Sequence, residues 1–261
     1  MSVLDDAASM WEILATPDER DDELFDLATL TDLPDPASRW LRRVLPVETP
    51  LVATIELAMT GSIKLGPRWF PFRATQVLRA GVGFVWLPVV GGRILRFVGA
   101  DILGPGDARM EFRLHDRIPL VRATGPEVAR SAVGRLAAET VAWLPQAAAP
   151  QAGAIWAPVD ERRAVVSLPV GDESVDVTVT VDADGRLGAL HLERWRNDAD
   201  PPRFEPFGGD VSAEVRSDHG VAVAGRGTVG WGHGTPAAAG GAFFRYEVSR
   251  LGSPRTHRTS R

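Results

Sequence analysis

The chain has 261 residues, with 34 acidic and 29 basic side chains, a formal net charge of −5, five histidines and no cysteine. Its length suffices to bury roughly 70–75% of the unfolded surface without a covalent staple. The missing cysteines exclude disulfide frameworks, thiolate nucleophiles and Cys-ligated metals and are compatible with a reducing compartment, while interspersed charges leave no basic footprint for nucleic acid.

The opening Met1-Ser2-Val3-Leu4-Asp5-Asp6 is acidic, with no cationic region, long apolar run or cleavage signal, so the cytoplasm is the expected location. Residues 1–46 read as helical. Thr16-Pro17-Asp18-Glu19 places a hydroxyl at an N-cap, Pro at the first helical position and a carboxylate three residues on. Leu24, Phe25, Leu27 and Leu30 then supply an apolar stripe. Asp35-Pro36 repeats the start signal ahead of Trp40, Leu41 and Val44.

From Leu51 the apolar period changes from about 3.6 to about 2, the signature of strands. In the first β half, 51–123, Leu51, Ala53, Ile55, Leu57 and Met59 share one face, as do Ala108, Met110, Phe112 and Leu114. Further strands are expected at 69–78, 82–88, 93–99 and 117–123. The most apolar window, Gly81 to Val90, is broken by Pro88 and Gly91-Gly92 and is too short for a spanning helix, so no transmembrane segment is expected.

Between Gly125-Pro126 and Pro145 the spacing predicts a helix over 126–144, with Val133, Leu136, Ala137, Thr140, Val141 and Leu144 on one stripe. Arg135 and Glu139 stand one turn apart on another face. They are either an ordinary surface pair or a pair turned inward that bridges helix and sheet.

The second β half, 155–250, repeats the alternation. Val175, Val177, Val179 and Val181 lead into the turn Asp182-Ala183-Asp184-Gly185, and Leu187 to Trp195 returns as the partner strand. Strands are also expected at 163–170, 210–217, 221–231 and 242–250, with a mobile loop from Arg196 to Phe204. The whole of 1–250 is read as one α+β domain. Residues 251–261 form a Gly-Ser-Pro-Thr tail that is expected to be disordered, and the basic cluster Arg250, Arg255, His257, Arg258 and Arg261 reads as part of that frayed, solvated end.

Several motifs resemble a bacterial family of uncharacterised proteins, a domain of unknown function. They are Leu33-Pro34 with Arg39-Trp40-Leu41-Arg42-Arg43; Gly61 ahead of Trp69-Phe70-Pro71-Phe72-Arg73-Ala74-Thr75-Gln76; and Arg135-Leu136-Ala137-Ala138-Glu139 running into Trp143-Leu144-Pro145. Trp156 before Val159-Asp160, Arg194-Trp195, Pro206-Phe207-Gly208-Gly209 and Gly230-Trp231 follow in the same order. The resemblance implies an architecture similar to the half-barrel folds of lipoprotein carriers, in which one curved antiparallel sheet wraps around helices and encloses an apolar cavity. Leu136 departs from it, since tyrosine is often found there.

Sharper chemical readings are weak. Gly225-Arg226-Gly227-Thr228-Val229-Gly230 matches a dinucleotide fingerprint literally, but no helix follows to hold a pyrophosphate. The Asp182 turn resembles a calcium loop but has Leu187 where the sharp turn requires Gly. His191-Leu192-Glu193 lacks a recognised ligand spacing, and no metal or cofactor is expected. Acid–base chemistry would fall to Glu139 with Asp101, Glu111 or His115.

The expected architecture is therefore a large curved antiparallel sheet, a half barrel, covered by the N-terminal helices and the central helix. The expected function is non-catalytic binding of a small apolar or amphipathic, lipid-like ligand. Trp69, Phe72, Trp86, Met110, Phe112 and Trp143 would hold it, with Gln76, Arg135 and Glu139 as polar contacts. A hydrolase or isomerase using carboxylates in the same cavity, and a structural or regulatory domain with a filled core, are the alternatives. Oligomeric state cannot be read from the sequence.

Overall fold

The computed structural model describes residues 3–17 and 19–252, with the side chains of residues 19 and 20 excepted. The tail expected from residue 251 begins later, since Leu251 and Gly252 still pair with Leu57 and Glu56 in the last strand; the rest of the tail beyond residue 252, and the Asp18 position of the Thr16–Glu19 start signal, lie outside the described residues.

Two α-helices and two 3-10 turns precede the sheet: α1 (Val3–Leu14), the turns Glu19–Asp22 and Leu27–Leu30, and α2 (Asp35–Val44). The stripe expected to run helically from Leu24 does not. Leu24 makes a β-bridge with Pro50, and only Leu27–Leu30 winds into one turn, capped by the Asp26 side chain on Ala28 N. Phe25 and Leu30 still reach the core, so burial is achieved without the helix.

The strands are β1 (Thr54–Leu65), β2 (Arg68–Arg79), β3 (Gly83–Gly91), β4 (Arg96–Gly104), β5 (Asp107–Leu114) and β6 (Ile118–Thr124), then helix α3 (Pro126–Trp143). After it come β7 (Ile155–Pro158), β8 (Arg163–Val170), β9 (Glu173–Val181), β10 (Leu187–Arg196), β11 (Arg203–Arg216), β12 (Ala222–Trp231), the short α4 (Ala238–Gly241) and β13 (Ala242–Gly252). All thirteen strands form one open antiparallel sheet in the order β6-β5-β4-β3-β2-β1-β13-β12-β11-β10-β9-β8-β7. Two meanders are thus joined where the first strand pairs with the last, with Gly61 opposite Tyr246 and Ile63 opposite Phe244.

Three boundaries differ from the sequence expectation. β4 runs through Gly99, because a Cβ there would lie 2.8 Å from the Phe112 ring and 2.0 Å from Glu111 O; the glycine marks crowding and not a break. β11 begins at Arg203, so the segment expected as a mobile loop is a hairpin connection. Its flanking rings, Trp195 and Phe204, meet edge to face at 5.1 Å beneath Arg130 of α3. β7 was not anticipated, since four residues ending in Pro158 are too short to show a period and form the sheet's edge.

The pleat sorts side chains onto two faces. On one, Val77, Val85, Ala100 and Ile102 pack with Val3, Ala7 and Leu14 of α1. The other carries Leu57, Met59, Phe72, Leu78, Phe84, Trp86 and Leu103 into the main core with Leu136, Ala137 and Val141 of α3. α1 therefore lies on the face opposite α3, and only α2, through Trp40, Leu41 and Val44, joins the larger core. The sheet bends strongly: Gly171 N, between β8 and β9, donates to Gly81 O, between β2 and β3, at 2.9 Å, although these hairpins lie seven strands apart.

Candidate ligand-binding cavity

The concave face does not close on itself. Between α3 and the two meanders lies a cavity of about 620 Å3. One wall is Trp86, Phe97, Met110 and Phe112 from β3–β5; the facing wall is Phe207, Val211, Val229, Phe244 and Tyr246 from β11–β13. α3 forms the third side with Arg135, Ala138, Glu139, Ala142 and Trp143, spaced i, i+3, i+4, i+7 and i+8, which places them on one face of a helix. The stripe read from the sequence, Leu136, Ala137, Thr140, Val141 and Leu144, is a second buried face of the same helix. Buried on two sides, α3 brings a pair of small residues, Ala138 and Ala142, toward the hollow, and these leave it open.

Of the expected binding residues, Trp86, Met110, Phe112, Arg135, Glu139 and Trp143 line this space together. Phe72 stands behind the wall, stacked on Phe244 at 4.9 Å and edge-on to Trp86 at 5.9 Å. Gln76 is fully buried and supports Glu139 from the sheet. Trp69 belongs to the opposite pleat from Phe70 and Phe72, and lies outside the cavity beneath the Arg245 guanidinium at 4.3 Å. The lining from β11–β13 was not anticipated. Its signal was the alternation of Phe244, Tyr246 and Val248 with Arg245, Glu247 and Ser249.

Charged groups enter the apolar hollow along one seam. Arg135 turns inward, donating from Nε to Glu139 Oε1 and from Nη1 to Asp101 Oδ2, each at 2.6 Å, with its guanidinium 4.2 Å over the Phe84 ring. Burial works against its charge, but Glu139 and Asp101 outweigh it and hold the pKa above the ordinary value. Gln76 Nε2 donates to the remaining Glu139 oxygen at 2.6 Å, so both oxygens of that carboxylate are engaged. The other two groups considered for acid–base work are elsewhere. Glu111 projects from the opposite pleat of β5 into Arg109 and Arg113, and His115 sits in the β5–β6 turn against Ile94 O at 3.1 Å.

Arg194 of β10 is the second cation of the lining. It donates from Nε to Ser131 O at 2.9 Å and from Nη2 to Ser131 Oγ at 3.4 Å, and lies 4.5 Å over Phe207. No carboxylate pairs with it among the described residues. Burial, and then the charge of Arg135, bring its pKa down to about 10. The indole Nε1 of Trp86 is likewise buried without a hydrogen-bond partner among the described residues. A cation lacking an anion and a donor lacking an acceptor thus both occur in the lining of an apolar space.

His191 and His233 lie 6.0 Å apart beside this wall, and His233 Nε2 is 3.3 Å from Asp210 Oδ1. Among the described residues no cluster of His, Asp and Glu is arranged to hold a metal. The glycine-rich fingerprint is strand β12, where a Cβ on Gly227 would fall 2.7 Å from Asp210 O and 2.8 Å from the Tyr246 hydroxyl. The Asp182 motif is the β9–β10 hairpin turn, its carboxylate accepting from Asp184 N and Arg186 N. Among the described residues no helix is long and apolar enough to cross a membrane.

Fold and site together define an open antiparallel sheet wrapped around a helix with an internal apolar cavity. Residues 23–240 match the model of a family of unknown function, DUF6544, and the chain belongs to that family. Among curated proteins none matches. The chain is similar to a LolA superfamily protein from Nitrosomonas europaea, with 11% identity over 83% of this chain and 90% of that one and a TM-score of 0.43. It is also similar to a DUF1329 family protein from Desulfovibrio piger, with 10% identity over 96% and 93% and a TM-score of 0.40. A domain from Vibrio parahaemolyticus described as an outer membrane lipoprotein-sorting protein gives 10% identity over 77% and 85% and a TM-score of 0.39.

Proposed function

We propose that the protein binds, without chemical conversion, one small amphipathic molecule with a lipid-like apolar body. The observation that carries this reading is the cavity of about 620 Å3, about four times the ~150 Å3 void that accommodates a benzene ring, and within the ~300–1,000 Å3 range of ligand sites. A body held among Trp86, Phe112, Phe207, Phe244 and Trp143 exchanges water for aromatic surface. Its polar end meets Arg194, with Trp86 Nε1 as a further donor, because the first lacks an anion and the second an acceptor among the described residues. Gln76, Arg135 and Glu139 act as the supporting seam: their hydrogen bonds are made to one another and to Asp101.

Acid–base catalysis gains no support, since Glu139 has both oxygens committed and Asp101 is paired to the same guanidinium. Uptake of the uncharged fluorescent probe N-phenylnaphthylamine by the purified, delipidated chain tests the reading. Saturable uptake, displaced by a long-chain fatty acid, is the expected result, together with a co-purifying lipid in native mass spectrometry. A chain that carries no lipid and takes up no probe overturns it.

A further inference from the structure

At one end of the first meander, where the tips of three successive hairpins stand side by side, the cavity lining reaches solvent through Leu65, Leu120 and Val121. The tips are the β1–β2 turn around Gly66, the β3–β4 loop at 92–95 and the β5–β6 turn at 115–117. Strand spacing puts neighbouring tips about 10 Å apart, and His115 Nε2 against Ile94 O ties two of them together. Leu65, Leu120 and Val121 lie both on this rim and in the cavity lining. Beyond them apolar side chains point into solvent: Ile94 is 92% exposed and Ile118 58%. Isolated exposed apolar residues are ordinary; a cluster at a cavity mouth is not.

The same tips carry Lys64, Arg68, Arg93, Arg96 and Arg117, with Asp116 as the acidic residue of these turns. Among the described residues none of the five cations forms an ion pair. A chain of net charge −5 thus concentrates positive charge around an apolar rim. Cations beside exposed aliphatic side chains complement one kind of surface in particular, an anionic lipid headgroup layer into which the aliphatic tips can dip. An acidic protein groove would match the charge but would require a continuous partner for each tip, whereas a bilayer accommodates separated apolar points.

We propose that this rim docks on an anionic lipid surface, so that the cavity mouth faces the bilayer. What docking serves, the passage of an amphipathic ligand between bilayer and cavity, rests on the binding reading above; docking itself does not. The test is co-sedimentation of the full chain with vesicles of phosphatidylcholine alone and of phosphatidylcholine mixed with phosphatidylglycerol, at low and high salt. Binding is expected to the mixed vesicles only, and to fall as salt rises. Arg93→Glu/Arg96→Glu/Arg117→Glu should weaken it tenfold or more, as should Ile94→Asp/Ile118→Asp.

Both variants leave the cavity lining intact and are expected to take up N-phenylnaphthylamine like the unmodified chain, which also shows that they fold. No binding to either vesicle, equal binding to both, or rim variants that bind unchanged overturns the proposal. So does a stable dimer in sedimentation that Ile118→Asp dissociates, because the rim then belongs to a second copy of the chain. Absence of probe uptake in the unmodified chain removes the binding reading and leaves docking to be decided by the vesicles.

Discussion

Arg135 on α3 is joined to Asp101 on β4 by a 2.6 Å hydrogen bond that bridges helix and sheet in the cavity lining. Glu139 and Gln76 complete the network, and side-chain exposure is about 15% for Arg135 and Glu139 and 17% for Asp101. Removing one member leaves charges stranded, which costs about 3–5 kcal/mol in buried networks. Arg135→Met is expected to lower the unfolding free energy by about 3 kcal/mol in urea titration. Adding Asp101→Leu, Glu139→Leu and Gln76→Leu should recover most of that loss, because no member of the seam is then left without its partner. An Arg135→Met chain as stable as the parent would show that the seam has no positioning role.

Glu111 tests the opposite face of the same strands. It is 3% exposed and lies between Arg113 at 2.7 Å and Arg109 at 3.0 Å. The Arg113 hydrogen bond, against the effect of burial and with help from Arg109, holds its carboxyl below the usual range. A folded-state pKa below the unfolded one means stability that is full above the unfolded value of about 4.3 and is lost as the pH falls through the folded value. The melting temperature of Glu111→Gln should therefore lie below that of the parent at pH 7, and the two should converge in acid. A gap that persists unchanged at low pH would contradict the assignment.

The depth of legibility differs between elements for physical reasons. Strands whose apolar residues alternate without interruption, such as β9 with Val175, Val177, Val179 and Val181, announce themselves, because the pleat has a period of two. The core stripe of α3 is equally plain. Its cavity face is not: Arg135, Ala138, Glu139, Ala142 and Trp143 mix charge with small side chains and so resemble a solvated surface. Trp69 and Phe70 look equivalent in sequence, and only the register decides which one faces inward. The far wall, with Phe207, Phe244 and Tyr246, depends on β1 pairing with β13 almost two hundred residues away in sequence. No local pattern carries such a long-range pairing.

Ala138 allows the hollow to be narrowed without replacing a member of the seam. It lines the cavity on the turn of α3 between Arg135 and Ala142, and its methyl group faces open volume. Ala138→Trp should fold with a melting temperature close to the parent, since the added ring enters space and does not displace packed neighbours. Affinity for N-phenylnaphthylamine should fall, because the ring takes up part of the volume of about 620 Å3. If the variant folds and still takes up the probe with unchanged affinity, the probe binds elsewhere and this cavity is not the ligand site.

Arg194 separates binding of an apolar body from recognition of its polar end. Its guanidinium is held by the carbonyl and hydroxyl of Ser131 and by no carboxylate among the described residues, and burial lowers its pKa to about 10. Folding therefore holds a half-buried cation with no carboxylate partner among the described residues, a cost that an anionic headgroup offsets. Arg194→Met keeps the bulk over Phe207 and deletes the charge, so stability in the absence of ligand should be unchanged or higher. Displacement of N-phenylnaphthylamine by palmitate and by hexadecanol reads the other half. In the parent the acid should compete about tenfold or more better than the alcohol, as expected for a charge-assisted hydrogen bond of about 1.5–3 kcal/mol. In Arg194→Met the two should compete equally. If the variant keeps the parent's preference for the acid, the headgroup is read by another residue, and Trp86 Nε1 becomes the next donor to replace.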